Sequence, residues 1–199
     1  MLIKIIMLLA AYLIGSINTS IIVSKIMTGD DIRNHGSGNA GATNTLRTVG
    51  KLGALLVVIG DALKAVAAIL IAKAFIKEPY TAVYIAGLGV ILGHNFPVFF
   101  GFKGGKGVLV SLVAILFADY RIGLITAVIA IAVMVFSGYV SLGSIVGALL
   151  FIALSFVFHA GNSQFIVFSI LVSGLVIYMH RSNIVRLVQG TENKTSFKK

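Results

Sequence analysis

Residues 108–118 read VLVSLVAILFA, eleven residues without a charge between Gly107 and Asp119. A helix needs roughly 20 apolar residues to cross a bilayer, so this run either crosses as a short span or turns back on itself. The charges around it decide between the two. If it crosses, Lys25, Arg33, Arg47 and Lys51, then Lys103 and Lys106, then Arg181, Arg186, Lys194, Lys198 and Lys199 all fall on one face of the membrane. If it turns back, the basic C-terminal segment is stranded on the opposite face. The excess of Lys and Arg in cytoplasmic loops favours the crossing, with the N-terminus outside and the C-terminus cytoplasmic.

Working outward, further apolar runs occupy 2–27, 52–76, 80–100, 121–139, 142–159 and 164–179. Apolar residues make up 58% of the 199, charged residues only 11%, and mean hydropathy is +1.05. Soluble domains are about 45–50% apolar and 25% charged, so this is an integral membrane protein. Open sheet edges do not survive in hydrocarbon, which makes the spans helical. The expected architecture is therefore all-α, with seven transmembrane helices and a short fourth span. One domain covers residues 1–199, and about 192–199 form a disordered tail. Lys4 before an apolar run resembles the start of a signal peptide, but the run continues to about Met27, longer than the usual h-region of about 7–15 residues, so a retained span is expected.

The net charge of +10 is explained by positive-inside sorting and the anionic leaflet, and no nucleic-acid partner is expected. The absence of cysteine excludes disulfides, a Cys nucleophile and thiolate zinc sites. Six scattered acidic residues make no carboxylate cage, so neither a metal nor a cofactor is expected.

Most of the chemistry lies just before the short run, in Gly93–Gly107, GHNFPVFFGFKGGKG. Glycines of either sign of φ let backbone N–H groups converge on an anion, and a lysine among them adds a mobile cation. A nucleotide P-loop does not fit: Gly101 and Gly105 enclose three residues where the Walker pattern has four, and Gly107 stands where Ser or Thr would bind magnesium. A glycine-rich turn with lysines facing lipid headgroups is the plainer alternative.

Three other segments face the same side. GSGNAGATNTLR, Gly36–Arg47, sets Ser37, Asn39, Thr43 and Asn44 beside the guanidinium of Arg47, whose fork suits a phosphate. It also satisfies G-x-G-x-x-G, but no strand precedes it and Asp61 lies within an apolar span, so a dinucleotide fold is excluded. Tyr139–Ser144 offers Ser141 and Ser144, with Gly143 and Gly147 spaced for close helix packing. His180–Glu192, HRSNIVRLVQGTE, places His180, Asn183 and Arg186 at helical spacing; a basic juxtamembrane anchor also explains its arginines. Within the second span, Asp61 and Lys64 share a helix face and can neutralise one another, either as a structural pair or beside the site. His35, His94 and His159 have no partner assignable from sequence, and His159 falls on the outer side.

Together these segments describe a metal-free, anion-binding site opening onto the membrane. The H-x-x-x-x-D pair that serves several glycerolipid acyltransferases as general base is missing, because Ala40, Phe99, Gln164 and Val185 stand five positions after the four histidines.

In their order, GSGNAGATNTLR, GHNFPVFFGFKGGKGV, the serines Ser141 and Ser144, and HRSNIVRLVQGTE resemble the motifs of the acyl-phosphate-dependent glycerol-3-phosphate acyltransferases of bacteria, the PlsY family. The departures are mild: Leu109 and Val110 replace the frequent Ala-Thr, and Ala65 a frequent Gly. The resemblance implies a seven-span enzyme of the bacterial plasma (inner) membrane with a cytoplasmic site. It would transfer a fatty acyl group from acyl phosphate to the 1-hydroxyl of glycerol 3-phosphate, giving lysophosphatidate. By similarity, Ser37, Arg47, Lys106, Ser144, His180 and Asn183 line the catalytic centre. Gly38, Asn39, Thr43, Asn44, His94, Lys103, Gly104, Gly105, Gly107 and Ser141 then contact substrate, with the N–H groups of Gly104 to Gly107 and Lys106 on the acyl phosphate. A transporter of a phosphorylated anion is the rival reading, but the spans carry few polar residues to form its path.

Overall fold

The computed structural model describes residues 1–195, and among them every regular element is helical. The chain forms two compact units, residues 1–114 and residues 115 onward.

The first unit contains α1 (Leu2–Gly15), α2 (Thr19–Thr28), a 3-10 turn at Ile32–Asn34, α3 (Ala42–Thr48), α4 (Lys51–Phe75), α5 (Pro79–Asn95) and a second 3-10 turn at Val98–Phe100. The first apolar run is broken at Ser16–Asn18. Asn18 restarts the helix as an N-cap, its Oδ1 accepting the N–H of Ile21 at 3.0 Å, so the carbonyls ahead of it leave the helical ladder. Glycines let α1 and α5 touch through their backbones: a Cβ at Gly89 would stand 2.7 Å from the Leu8 carbonyl oxygen, and one at Gly93 would collide with that of Tyr12. Helices in lipid gain nothing by hiding apolar side chains from water, and such close approach is what holds them together. The outward face of α4 accordingly leaves Leu52, Leu55, Leu63 and Leu70 exposed.

α6 (Val108–Ala118) extends across the division between the units. Its eleven residues span about 17 Å, against about 30 Å of hydrocarbon.

The second unit contains α7 (Tyr120–Ser137), α8 (Val140–Phe158), α9 (Ser163–Met179) and α10 (Arg181–Val188). Gly143 and Gly147 of α8 face Ala130, as their spacing predicts. Phe151 packs edge-on against Phe165 and Phe168 at 5.9 and 6.2 Å, and Ser173 Oγ donates to the Ala148 carbonyl at 2.7 Å. The tail expected from about residue 192 is anchored over its described part: Glu192 is bound by three donors, and the Thr195 N–H reaches the Gly138 carbonyl at 2.8 Å. Residues 196–199 lie outside the described residues.

By length and composition, five helical segments suffice to cross a membrane: Leu2–Thr28, Lys51–Phe75, Pro79–Phe100, Tyr120–Ser137 and Val140–Phe158. α9 joined to α10, which bend by 60° at His180, makes a sixth, and α6 is shorter than the rest. The fold is that of a multi-pass membrane protein.

Candidate active site

In the first unit, the glycine-serine loop and the lysine loop are tied together by Arg33. Its Nε and Nη2 grip Asp31 at 3.0 and 2.8 Å, and its Nη1 donates to the carbonyls of Phe100 and Lys103 at 2.7 and 3.2 Å. A carboxylate on one edge and two carbonyls on the other use the planar fork fully.

Asn44 fastens the glycine-serine loop from beneath. Its Oδ1 accepts the Ser37 N–H at 2.9 Å, and its Nδ2 donates to the carbonyls of Ile32 and His35 at 3.3 and 2.9 Å. With 1% of its surface exposed, Asn44 shapes the loop from within. Ser37, Gly38 and Arg47 are exposed, the last on the final turn of α3, while Asn39 and Thr43 are half-buried.

The lysine loop doubles back onto the end of α5. The Gly104 N–H donates to the Asn95 carbonyl at 3.2 Å and the Gly105 N–H to the His94 carbonyl at 3.1 Å. These two amides are engaged within the loop. The glycines answer to space: a Cβ at Gly104 would strike the His94 carbonyl, and one at Gly105 the His94 imidazole, with the Ala40 carbonyl oxygen 2.7 Å away on the other side. Gly101 and Gly107 have φ of 65° and 74°, and Phe102 shares the left-handed conformation at 59°. Lys103 is exposed, Lys106 half-buried, and Gly105 and Gly107 buried.

Under this loop lies a buried polar cluster. Asp61 Oδ1 stands 2.7 Å from Lys64 Nζ and accepts from Thr19 Oγ1 at 3.0 Å; Lys64 Nζ also donates to the Ile17 carbonyl at 2.8 Å and lies 3.0 Å from His94 Nδ1. The Ile17 carbonyl is available because the first span breaks there.

In the second unit, Glu192 gathers the remaining motif residues. Its Oε1 accepts from Asn183 Nδ2 at 2.6 Å and Ser141 Oγ at 2.8 Å, and its Oε2 from Arg186 Nε at 2.7 Å. Burial pushes the Glu192 carboxyl up, but the bonds from Asn183, Arg186 and Ser141 outweigh that and hold it below the usual glutamate range. Ser144 Oγ donates to the Val140 carbonyl at 2.9 Å. His180 Nδ1 lies 2.8 Å from the Val176 carbonyl; a carbonyl only accepts, so the proton is on Nδ1. Among the described residues, no group of three or more His, Asp or Glu is placed to hold a metal.

Sequence reading left Arg33, Thr19 and the bonding of Glu192 unnoticed. The histidines without assignable partners all have one here: His35 pairs with Asp30 at 2.7 Å, His159 with Asp119 at 2.9 Å, and His94 with Lys64. Asn18 within an apolar run was the available signal for the first of these clusters.

A multi-pass helical membrane protein with a glycine-lysine loop pinned beside an arginine-bearing loop is the class that the fold and these contacts define. The glycerol-3-phosphate acyltransferase family model matches residues 5–190. A glycerol-3-phosphate acyltransferase of Thermoanaerobacter sp. (strain X514) is 46% identical, the match covering 92% of this chain and 91% of the relative. One from Clostridioides difficile (strain 630) is 43% identical, covering 98% and 97%. The fold superposes on a crystal structure of PlsY (YgiH), an integral membrane glycerol 3-phosphate acyltransferase, in its glycerol 3-phosphate form. The TM-score is 0.88 at 37% identity, over 97% of this chain and 96% of that one. The lysophosphatidic acid form of PlsY gives 0.84 at 35% identity, over 97% and 95%. The chain belongs to the glycerol-3-phosphate acyltransferase family and is an acyltransferase.

Proposed function

We propose that the chain transfers a fatty acyl group from acyl phosphate to the 1-hydroxyl of sn-glycerol 3-phosphate, releasing lysophosphatidate and phosphate. Family membership across residues 5–190 carries this reading, supported by the likeness to a PlsY structure in its glycerol 3-phosphate form. The hydroxyl oxygen attacks the acyl carbonyl carbon, the bond from that carbon to the phosphate oxygen breaks, and the departing phosphate takes the hydroxyl proton. A mixed anhydride is already activated, so the protein contributes position and charge stabilisation, effects worth several kcal/mol in general.

Lys106 holds the acyl phosphate, while Arg47, Ser37 and Asn183 orient glycerol 3-phosphate, Asn183 with its amide turned by Glu192. Ser144 and His180 complete the catalytic set, and Gly38, Asn39, Thr43, Lys103, Gly107 and Ser141 border the substrates. The enzyme sits in the bacterial inner membrane with seven spans, α6 being the short fourth, its site and C-terminus cytoplasmic. The basic loops that gather on one face support that orientation.

The test is lysophosphatidate formation by purified protein, dependent on glycerol 3-phosphate, with palmitoyl phosphate compared against acyl-CoA and acyl carrier protein donors, and phosphate release followed with the first. Turnover with palmitoyl phosphate alone is expected, and Lys106→Ala and Arg47→Ala abolish it in protein that still folds. Turnover with acyl-CoA and none with palmitoyl phosphate would sink the donor assignment.

A further inference from the structure

The buried cluster of Asp61, Lys64 and His94 explains more than charge neutralisation. An ammonium carries three hydrogens, and Lys64 has three acceptors around it: the Ile17 carbonyl at 2.8 Å, Asp61 Oδ1 at 2.7 Å and His94 Nδ1 at 3.0 Å. A proton on His94 Nδ1 would point at the Lys64 ammonium, two donors face to face. The other acceptor near that nitrogen, Asp61 Oδ1, is 3.6 Å away, beyond hydrogen-bond reach. With the Lys64 ammonium donating to it, Nδ1 is the acceptor of this contact and the ring proton sits on Nε2.

That protonated edge is the one packed against Gly105. The imidazole Nε2 and Cε1 occupy the space where a Gly105 side chain would begin, and the Ala40 carbonyl oxygen closes the other side. His94 thus holds the lysine loop twice, through its carbonyl on the Gly105 N–H and through its ring on the Gly105 Cα. Asp61, Lys64 and His94 are 3%, 7% and 5% exposed, so water does not compete for these bonds.

We infer that His94, locked as its Nε2–H tautomer by the Asp61–Lys64 pair, is a positioning residue that sets how Lys106, next to Gly105, is presented to the phosphate of the acyl donor. This rests on the proposed placement of that phosphate at Lys106. The ion pair is then part of the enzyme's working parts and not only a fastening between helices, because its third hydrogen decides that the ring nitrogen facing the loop is the protonated one.

Two measurements on the purified full-length protein test it. The first reads the tautomer without any activity: two-bond proton–nitrogen correlations of histidine-labelled enzyme in detergent, with His94 assigned from the signal missing in His94→Gln. The Nε2–H pattern is expected, and an Nδ1–H pattern overturns the inference. The second compares two amides. His94→Gln carries its terminal amide to the place of Nε2, whereas His94→Asn reaches only that of Nδ1. With palmitoyl phosphate and glycerol 3-phosphate varied separately, His94→Asn is expected to lose about 100-fold in kcat/KM, chiefly through KM for palmitoyl phosphate, and His94→Gln to recover most of it. Equal losses in the two variants overturn the inference. Unchanged activity in Lys106→Ala would instead remove the phosphate from this loop, an outcome the tautomer measurement does not depend on.

Discussion

The carbonyl of His94 accepts the N–H of Gly105 at 3.1 Å, while the imidazole of the same residue fills the space beside the Gly105 Cα. The chain leaves the end of α5 and returns to it within the ten residues between His94 and Gly105, so the position of Lys106 is inherited from a helix and not from a free loop. Stored in that closure is the reason for two adjacent glycines: a Cβ at Gly104 would meet the carbonyls of His94 and Asn95, and one at Gly105 the His94 ring and the Ala40 carbonyl.

Gly105→Ala is expected to cost activity more than its single methyl implies. The new Cβ meets the His94 ring and the Ala40 carbonyl at once, and moving either shifts Lys106. A misplacement near 1 Å is worth about 100-fold in rate. Gly161→Ala, where nothing lies within 4 Å and φ is ordinary, is the control expected to match the parent enzyme. Steady-state kinetics on the two variants checks both.

Asn44→Asp is expected to destabilise the first unit more than Asn44→Ala. Alanine leaves the Ser37 N–H and the carbonyls of Ile32 and His35 without partners, at about 1–3 kcal/mol per buried group. Aspartate in addition sets a carboxylate oxygen against two carbonyl oxygens. Thermal unfolding in detergent gives the order, with loss of activity following loss of the loop.

Glu192 makes stability depend on acid. Its folded carboxyl titrates below the ordinary value of 4.5, so its contribution is complete above that value and fades as pH falls through the folded one. The melting temperature should therefore drop below about pH 4.5, and the drop should be smaller in Glu192→Gln, which already lacks the charge. Glu192→Ala leaves Asn183, Ser141 and Arg186 unpartnered by this carboxylate and is expected to cost about 3 kcal/mol near neutral pH.

When His180 is neutral its proton is on Nδ1, which donates to the Val176 carbonyl, so Nε2 carries the lone pair. If the departing phosphate takes the hydroxyl proton, His180→Gln keeps substantial turnover, and its pH–rate profile keeps the shape of the parent's. A variant silent at every pH would return the role of general base to this imidazole.

The orientation is checked by single cysteines, since the chain has none of its own. Lys194→Cys, in the described C-terminal segment, should resist a membrane-impermeant thiol reagent in intact cells. Gly161→Cys, in the turn between α8 and α9, should react. The reverse pattern would invert the proposed topology.

How far these features were legible in the sequence differs from residue to residue. The Asp61–Lys64 pair was readable, because i and i+3 on one helix are neighbours whatever the rest of the chain does. So were the close packing at Gly143 and Gly147 and the gaps between apolar runs at 77–79 and 160–163, where the structure breaks its helices. The break at Ser16–Asn18 was not read, since apolar composition continues through it and Asn18 acts only by capping the second half. The bonds from Asn44 to Ile32, His35 and Ser37 were not legible either, because nothing local shows which backbone groups its amide meets.

By itself the sequence determined the class of the protein, its helical spans and the family motifs, because hydropathy, helical period and the order of glycines, lysines and arginines are properties of short stretches. Only the tertiary structure decided which donor meets which acceptor: Lys64 with the Ile17 carbonyl, Arg33 with those of Phe100 and Lys103, Glu192 with Ser141. The reason is physical. A polar group buried away from water must find a partner, and for these groups the partner lies 47, 67, 70 and 51 residues away in the chain, at a distance that folding alone can close.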